Sequence, residues 1–343
     1  MRKGLVSIII VNWNGLHHLK KCLPSLYKSR FKNFEVILVD NGSVDKSLSY
    51  ISKYYPKVRV ILNSENVGFA PANNQGLAKA QGEYILLLNN DTVLTTDFLR
   101  PLVNALDSDP SLGAVQSKIL SMDNPKLLDS VGSFFTSTGI LYHYGYHQVD
   151  RKKYAKSIYT YSAKGACMMI RRKVIDIVGL FDDRFFAYFE ESDLSHRIWL
   201  AGYMIKYIPE SVIYHKIGGT SNSMQNSFIQ FHSFKNRINS YIKNLDTQSL
   251  VLFLPFHLLL CEAIAVAFIF KNRFDLFKAI NRSLLWNIVH LSETLKLRKN
   301  VQDMMRKKSD SEIFRFIKRD PEIGYYYSLF SNSLVGYKDT ISI

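Results

Sequence analysis

Four short apolar runs, "LVSIIIV" (5–11), "FEVILVD" (34–40), "VRVIL" (58–62) and "EYILLL" (83–88), punctuate the start of the chain, and the stretches between them have helical spacing. Leu16, Leu19, Leu23 and Leu26 fall three and four residues apart, and similar patterns cover 44–54 and 70–80. Near-continuous apolar strands are buried on both faces, and helical crossovers between them specify a parallel sheet with right-handed connections. An α/β fold is therefore expected, with a mostly parallel central sheet flanked by helices. Beyond it, "ACMMI" (166–170) and "SVIYH" (211–215) read as strands and "ESDLSHRIWLAGY" (191–203) as a helix, while 111–165 has no periodicity that orders its elements. The opening "MRKGLVSIIIVNWNG" imitates a signal peptide, but Ser7 interrupts its apolar run and no small-residue cleavage site follows, so it reads as the first strand.

After about residue 235 the pattern changes to helices alone. "SLVLFLPFHLLLCEAIAVAFIF" (249–270) is almost wholly apolar, and 274–297 carries Phe277, Ile280, Leu284, Ile288, Leu291 and Leu295 on the expected apolar face of one amphipathic helix. This divides the chain into a first domain over 1–235 and a helical region over 236–343. The net charge of +15 calls for an anionic partner, and residues 230–308 hold 13 Lys or Arg against 5 Asp or Glu. Basic residues flanking apolar helices point to a membrane surface and away from nucleic acid. Pro255, His257 and Glu262 within 249–270 favour a helix lying in the interface over one that spans. The three cysteines form no C-x-x-C pair, which suits a reducing compartment without structural zinc or disulfides.

Polar residues collect where the strands end. The first strand ends in "VNWNG", the second in "VDNGS" and the fourth in "NND", so Asn12, Asp40 and Asp91 are expected along one sheet edge, where open α/β sheets bind ligands. Asn and Asp also favour turns after strands for purely local reasons. Asp91 has no basic neighbour in sequence, and an unpaired carboxylate must meet water or a cation. "GLFDDRFFAYFEESDLSHR" (179–197) sets Asp182, Asp183, Glu190, Glu191 and Asp193 among aromatic residues. Such surroundings raise carboxylate pKa values toward those of a general base at neutral pH, although acids also cap helices. His215 ends a strand, either as a structural residue or as an imidazole reaching a metal at Asp91. Neither G-x-G-x-x-G nor G-x-x-x-x-G-K-[ST] is present, which leaves dinucleotide and P-loop chemistry unsupported.

In order, "VSIIIVNWNG", "VILVDNGSVDKS", "NVGFAPANNQGL", "YILLLNNDT", "GACMMIRRKVIDIVGLFDDRFFAYFEESDL" and "HKIGGTS" resemble family 2 inverting glycosyltransferases of the GT-A fold, in particular rhamnosyltransferase-like members, over about 4–240. The resemblance implies a nucleoside-diphosphate sugar donor, such as dTDP-rhamnose, and a divalent metal, Mg²⁺ or Mn²⁺. It assigns Asp40, with Asn12 beside it, to the nucleoside, and Asn66 of the third motif to the same donor site. The family's metal-binding D-x-D falls on Asn89-Asn90-Asp91, and His215 matches a histidine that often completes the metal site. The family's E-D-x-D falls on Glu190-Glu191-Ser192-Asp193, which puts the base at Glu191; Glu reaches one methylene further than the usual Asp, leaving Asp193 as the alternative. The expected acceptor is a glycan or polyprenyl-linked glycan at the cytoplasmic face of the membrane, in cell-surface polysaccharide synthesis. A sugar nucleotidyltransferase would need a Gly-rich, Arg-bearing first loop that "VNWNGLHHLK" lacks. A non-catalytic scaffold retaining a nucleotide pocket is the other alternative.

Overall fold

The computed structural model describes residues 1–216, 226–330 and 339. Residues 217–221 of the "HKIGGTS" motif lie outside them. Twelve strands form in chain order: β1 Arg2–Asn12, β2 Phe34–Asn41, β3 Arg59–Asn63, β4 Gly82–Leu88, β5 Thr92–Leu94, β6 Leu112–Ser121, β7 Leu128–Ser130, β8 Ser133–Phe134, β9 Tyr142–His143, β10 Ile158–Tyr159, β11 Cys167–Arg171 and β12 Met204–His215. Around them lie α1 Leu16–Tyr27, α2 Ser47–Tyr54, α3 Phe69–Lys79, α4 Leu99–Ser108, α5 Arg172–Val178 and α6 Glu190–Leu200. Six more helices follow: α7 Asn226–Asn244, α8 Thr247–Phe270, α9 Phe274–Val289, α10 Leu291–Asn300, α11 Asp310–Ile317 and α12 Ile323–Phe330.

The main sheet runs β10-β12-β6-β11-β4-β1-β2-β3, with β5 added to β12 and β7 to β6, while β8 and β9 pair separately. The expected parallel unit is present as β3, β2, β1 and β4, whose pairings are parallel throughout. Along that order six strands run one way and β10 and β11 the other, so the sheet is mixed with a parallel majority. β11 enters between β4 and β6 antiparallel to both, because the chain re-enters the sheet from the edge at which those two strands end. Alternation along the strands feeds two layers. Val6, Ile8, Ile10, Leu86 and Leu88 pack under α1 and α4, and Ile9, Ile85, Leu87 and Met168 pack with α5 and α6 on the other face.

Helix α7 runs unbroken across residue 235, so no linker marks the place where the sequence pattern changes. Tyr241, Leu245, Val301, Ile313 and Ile317 from the helical region share the core beneath α5 and α6. The single helix expected over 274–297 is broken at His290, giving α9 and α10. Ile280 is buried as expected, but Ile288, Leu291 and Leu295 are exposed: Ile288 lies on the side of α9 that also bares Leu285, and Leu291 and Leu295 follow the break.

Candidate functional site

Parallel register makes the site. Asn12 lies opposite Asp40, and Asn41 opposite Asn63, so β1, β2 and β3 finish at one edge. β4 pairs with β1 in the same sense and delivers Asn89-Asn90-Asp91 there. Thr92, the first residue of β5, pairs with His215, the last of β12, which sets Asp91 beside that imidazole. The antiparallel β11 starts at this edge and brings Lys164, Gly165 and Ala166 to it.

A cleft of about 640 Å³ opens along the edge, lined by Val11, Trp13, Asn41, Asn66, Asn89, Asn90 and Asp91 on one side and by Lys164, Glu190, Glu191, His215 and Arg237 further along. Asn12 and Asp40 are buried and lie outside this lining. Asn12 donates to Asp40 Oδ1 (2.9 Å) and accepts from Asn90 Nδ2 (2.9 Å), while Asp40 Oδ2 accepts from the Ser43 backbone (2.9 Å). The pair therefore fixes the strand-end loops, and Trp13 and Asn41 take the lining positions expected of it. Asn66 lines the cleft and accepts from Asn41 Nδ2 (3.1 Å) and the Gly68 backbone (3.0 Å). Gly68 has φ +99°, and a Cβ there would overlap the Phe186 carbonyl, which accepts from Phe69 N at 2.6 Å. Only glycine lets α3 start this close to the loop before α6.

At the position that the resemblance assigns to a metal, Asp91 Oδ1 is buried and its one polar contact is His215 Nε2 at 3.2 Å. Asn89 Oδ1 is likewise buried and unsatisfied. His215 Nδ1 donates to Asp129 Oδ2 (2.7 Å), and Asp129 Oδ1 accepts from Lys164 Nζ (2.7 Å). Burial opposes charge on His215, but its bonds to Asp129 and Asp91 outweigh that and lift it to about 9. Burial likewise opposes charge on Asp129, yet Lys164 and His215 hold its carboxyl well below the usual range. Two unsatisfied oxygens and an oriented imidazole fit a hard divalent cation that takes few protein ligands and draws the rest from a diphosphate and water. Among the described residues no three His, Cys, Asp or Glu side chains gather into a group that could hold a metal by itself.

The structure separates Glu191 from Asp193. Glu190 and Glu191 line the cleft, each with a buried and unpartnered Oε2. Burial, then the charge of Glu191, pushes the Glu190 carboxyl far above the normal range. Glu191 is raised by burial too, but a backbone hydrogen bond and nearby Lys164 restrain the shift. Asp193 lies outside the lining. Its oxygens meet Arg197 (3.0 Å), Lys243 (3.2 Å) and Asn244 Nδ2 (2.9 Å), and despite burial these cations lower its pKa. It is ion-paired between α6 and α7.

The loop before α6 is strained, with Tyr188 at φ 71° and Phe189 at φ 70°. Buried Asn236 on α7 holds it by donating to the carbonyls of Ala187 (2.9 Å) and Tyr188 (2.6 Å). The sequence reading missed Asp129, Lys164, Asn236 and Arg237. "KGACMMI", in which a lysine leads into a strand aimed at the site edge, was the one usable signal.

An α/β sheet whose strand ends present a sparse cation site and an unpaired carboxylate in one cleft is the arrangement of GT-A glycosyltransferases. The crystal structure of GalNAc-T7 with UDP, GalNAc and Mn²⁺ superposes over 98% of this chain with TM-score 0.64 at 18% identity, and the chain spans 59% of that protein. A mannosyltransferase from Pyrobaculum calidifontis, in complex with GDP-Man and Mn²⁺, superposes over 87% of this chain and 82% of its own, with TM-score 0.52 and 17% identity. Residues 7–178 match the family model of Glycosyl transferase family 2, and the chain belongs to that family. It is 25% identical over 258 residues to N-acetylglucosaminyl-diphospho-decaprenol L-rhamnosyltransferase of Mycobacterium tuberculosis, covering 66% of this chain and 81% of the relative. It is also 32% identical over 113 residues to cholesterol galactosyltransferase of Borreliella burgdorferi, 32% of each chain.

Proposed function

We propose that the protein moves a sugar, such as rhamnose from dTDP-rhamnose, from a nucleoside-diphosphate donor to a lipid-linked glycan acceptor with inversion. The unpartnered Glu191 carboxylate, in the same cleft as Asp91, Asn89 and His215, is the observation that carries this reading. A divalent cation held by Asp91, His215 and Asn89 would offset charge growing on the leaving diphosphate. Asp129 orients His215, so that its Nε2 faces Asp91. Glu191 takes the acceptor hydroxyl's proton, and one such base suffices for a single inverting displacement.

The test is to mix the purified full chain with Mn²⁺ and a panel containing dTDP-rhamnose, UDP-N-acetylglucosamine and GDP-mannose. One donor is expected to raise the unfolding temperature and to be slowly hydrolysed, releasing its nucleoside diphosphate. No shift and no hydrolysis with any donor defeats the reading.

In the proposed division of labour, residues 1–235 carry catalysis and 236–343 hold the enzyme at the cytoplasmic face of the membrane. Among the described helices α8 alone is long and apolar enough to span. His257, Cys261, Ile264 and Ala265 occupy one face of it against the protein, and His257 Nδ1 lies 2.9 Å from the Thr138 carbonyl. Spanning would strip that face away. The other face exposes Val251, Leu252, Phe256, Leu259 (71% exposed), Val266 and Phe270 (84% exposed), with Leu285 and Ile288 of α9 also bare and Lys278 and Arg282 exposed on α9. Such a face suits monotopic insertion with cations at the headgroups. Replacing Leu252, Phe256 and Leu259 together by serine is expected to move the chain from the membrane pellet to the soluble fraction with donor binding intact. Wild-type chain that is fully soluble without detergent contradicts the attachment.

A further inference from the structure

Arg237 is a cation in the catalytic cleft with no carboxylate to balance it. Three neighbouring basic side chains are ion-paired, Lys164 with Asp129, Arg184 with Asp182, and Lys243 with both Asp182 and Asp193, while Lys235 donates to the Arg184 carbonyl (2.7 Å). Arg237 makes no ion pair among the described residues, its hydrogen bond to Ser233 Oγ is long at 3.5 Å, and its Nε is fully buried without a partner. The guanidinium is held between the rings of Phe189 and Phe234, with centroids at 5.5 and 5.4 Å. Those contacts fix its position but give its Nε no acceptor. Leaving a buried, charged donor unmatched is unfavourable, so the arrangement suits a site completed by an anionic ligand.

The fork geometry and the location indicate which anion. Guanidinium groups recognise phosphate through paired, charge-assisted hydrogen bonds. Phe189, on which Arg237 packs, immediately precedes Glu190 and Glu191. In an inverting displacement the base and the leaving diphosphate occupy opposite faces of the sugar, so a group seated on the base's loop faces the acceptor. Arg237 also belongs to α7, which leads through Asp246 directly into α8 and its exposed apolar stripe.

We infer that Arg237 binds a phosphate group of the acceptor, which makes the acceptor a phosphate-bearing lipid conjugate. This rests on the glycosyl-transfer reading and deepens it. The test uses the full chain in detergent and isothermal titration with farnesyl diphosphate, farnesol, UDP and dTDP, the nucleotides with Mn²⁺ present. Wild type is expected to bind farnesyl diphosphate more tightly than farnesol. Arg237→Met keeps an apolar stem between the two rings; it is expected to weaken farnesyl diphosphate by roughly tenfold or more and to leave farnesol and the nucleotides within about twofold. Arg237→Lys should fall between the two, and Arg237→Gln replaces the methionine variant if thermal unfolding shows that one to be misfolded. Equal binding of farnesyl diphosphate by wild type and the uncharged variant overturns the inference, as does a wild type indifferent to the diphosphate. A loss confined to UDP and dTDP also overturns it, by assigning Arg237 to the donor. Failure of wild type to bind either nucleotide would instead count against the glycosyl-transfer reading itself.

Discussion

Glu191→Gln is expected to lower kcat by roughly 10²–10⁴-fold, the usual contribution of a positioned general base, with nucleotide affinity nearly unchanged. The amide keeps the shape of the side chain but cannot accept a proton. Because burial raises the Glu191 pKa, the acid limb of the wild-type pH profile should lie above the ordinary glutamate range, with activity rising as pH passes through it. That limb should vanish in the variant. Asp193→Asn should behave differently, since it unbalances Arg197 and Lys243 inside the protein. Breaking a buried ion pair from one side typically costs about 3–5 kcal/mol, so its signature is a lowered unfolding temperature. If Asp193→Asn instead cuts kcat at normal stability while Glu191→Gln turns over like wild type, the base has been assigned to the wrong carboxylate.

The contrast between these two acids also shows what the sequence could reveal. "FEESD" advertises a carboxylate cluster, but residues two apart on a helix point about 200° from each other, so Glu191 and Asp193 had to face different surroundings. Which one met the cleft depended on Lys243 and Asn244, some fifty residues later. The aromatic setting was expected to raise the acids of this segment together. It does so for Glu190 and Glu191, whereas Asp182, buried but paired with Lys243 and Arg184, is held low.

The first four strands and the three helices between them were legible because burial on both sheet faces writes a continuous apolar run into each strand. Strand-end residues followed from that register, and Asn89, Asn90, Asp91 and His215 do meet in one cleft. Asp129 was not legible. It sits on the three-residue strand β7, formed only by pairing with β6, and three residues carry no period. The left-handed backbone at Tyr188 and Phe189 was equally hidden, because its support comes from Asn236 on a different helix. Exposure of Leu291 and Leu295 escaped detection for a related reason: their spacing continues the pattern of α9 while the backbone breaks at His290.

Asp91→Ala is expected to abolish divalent-dependent turnover and to remove the Mn²⁺-dependent part of nucleoside-diphosphate binding, with the fold retained. The change removes the contact of Asp91 Oδ1 with His215 Nε2 (3.2 Å), so the imidazole loses one of the two carboxylates that hold it charged. His215 keeps its bond to Asp129, which preserves the strand-end pairing of β5 with β12. Asp129→Asn probes the same site from outside it. An asparagine oxygen can still accept from Nδ1, but it neither strengthens the imidazole as a ligand nor balances Lys164. Loss of such a supporting carboxylate typically lowers metal affinity about 10–100-fold, so the second variant should bind Mn²⁺ weakly where the first binds none specifically. Electron paramagnetic resonance of free Mn²⁺, titrated against protein with UDP or dTDP present, measures both without relying on turnover. Mn²⁺ uptake by Asp91→Ala equal to wild type would remove Asp91 from the cation site, and equal uptake by Asp129→Asn would reduce Asp129 to a purely structural partner of Lys164.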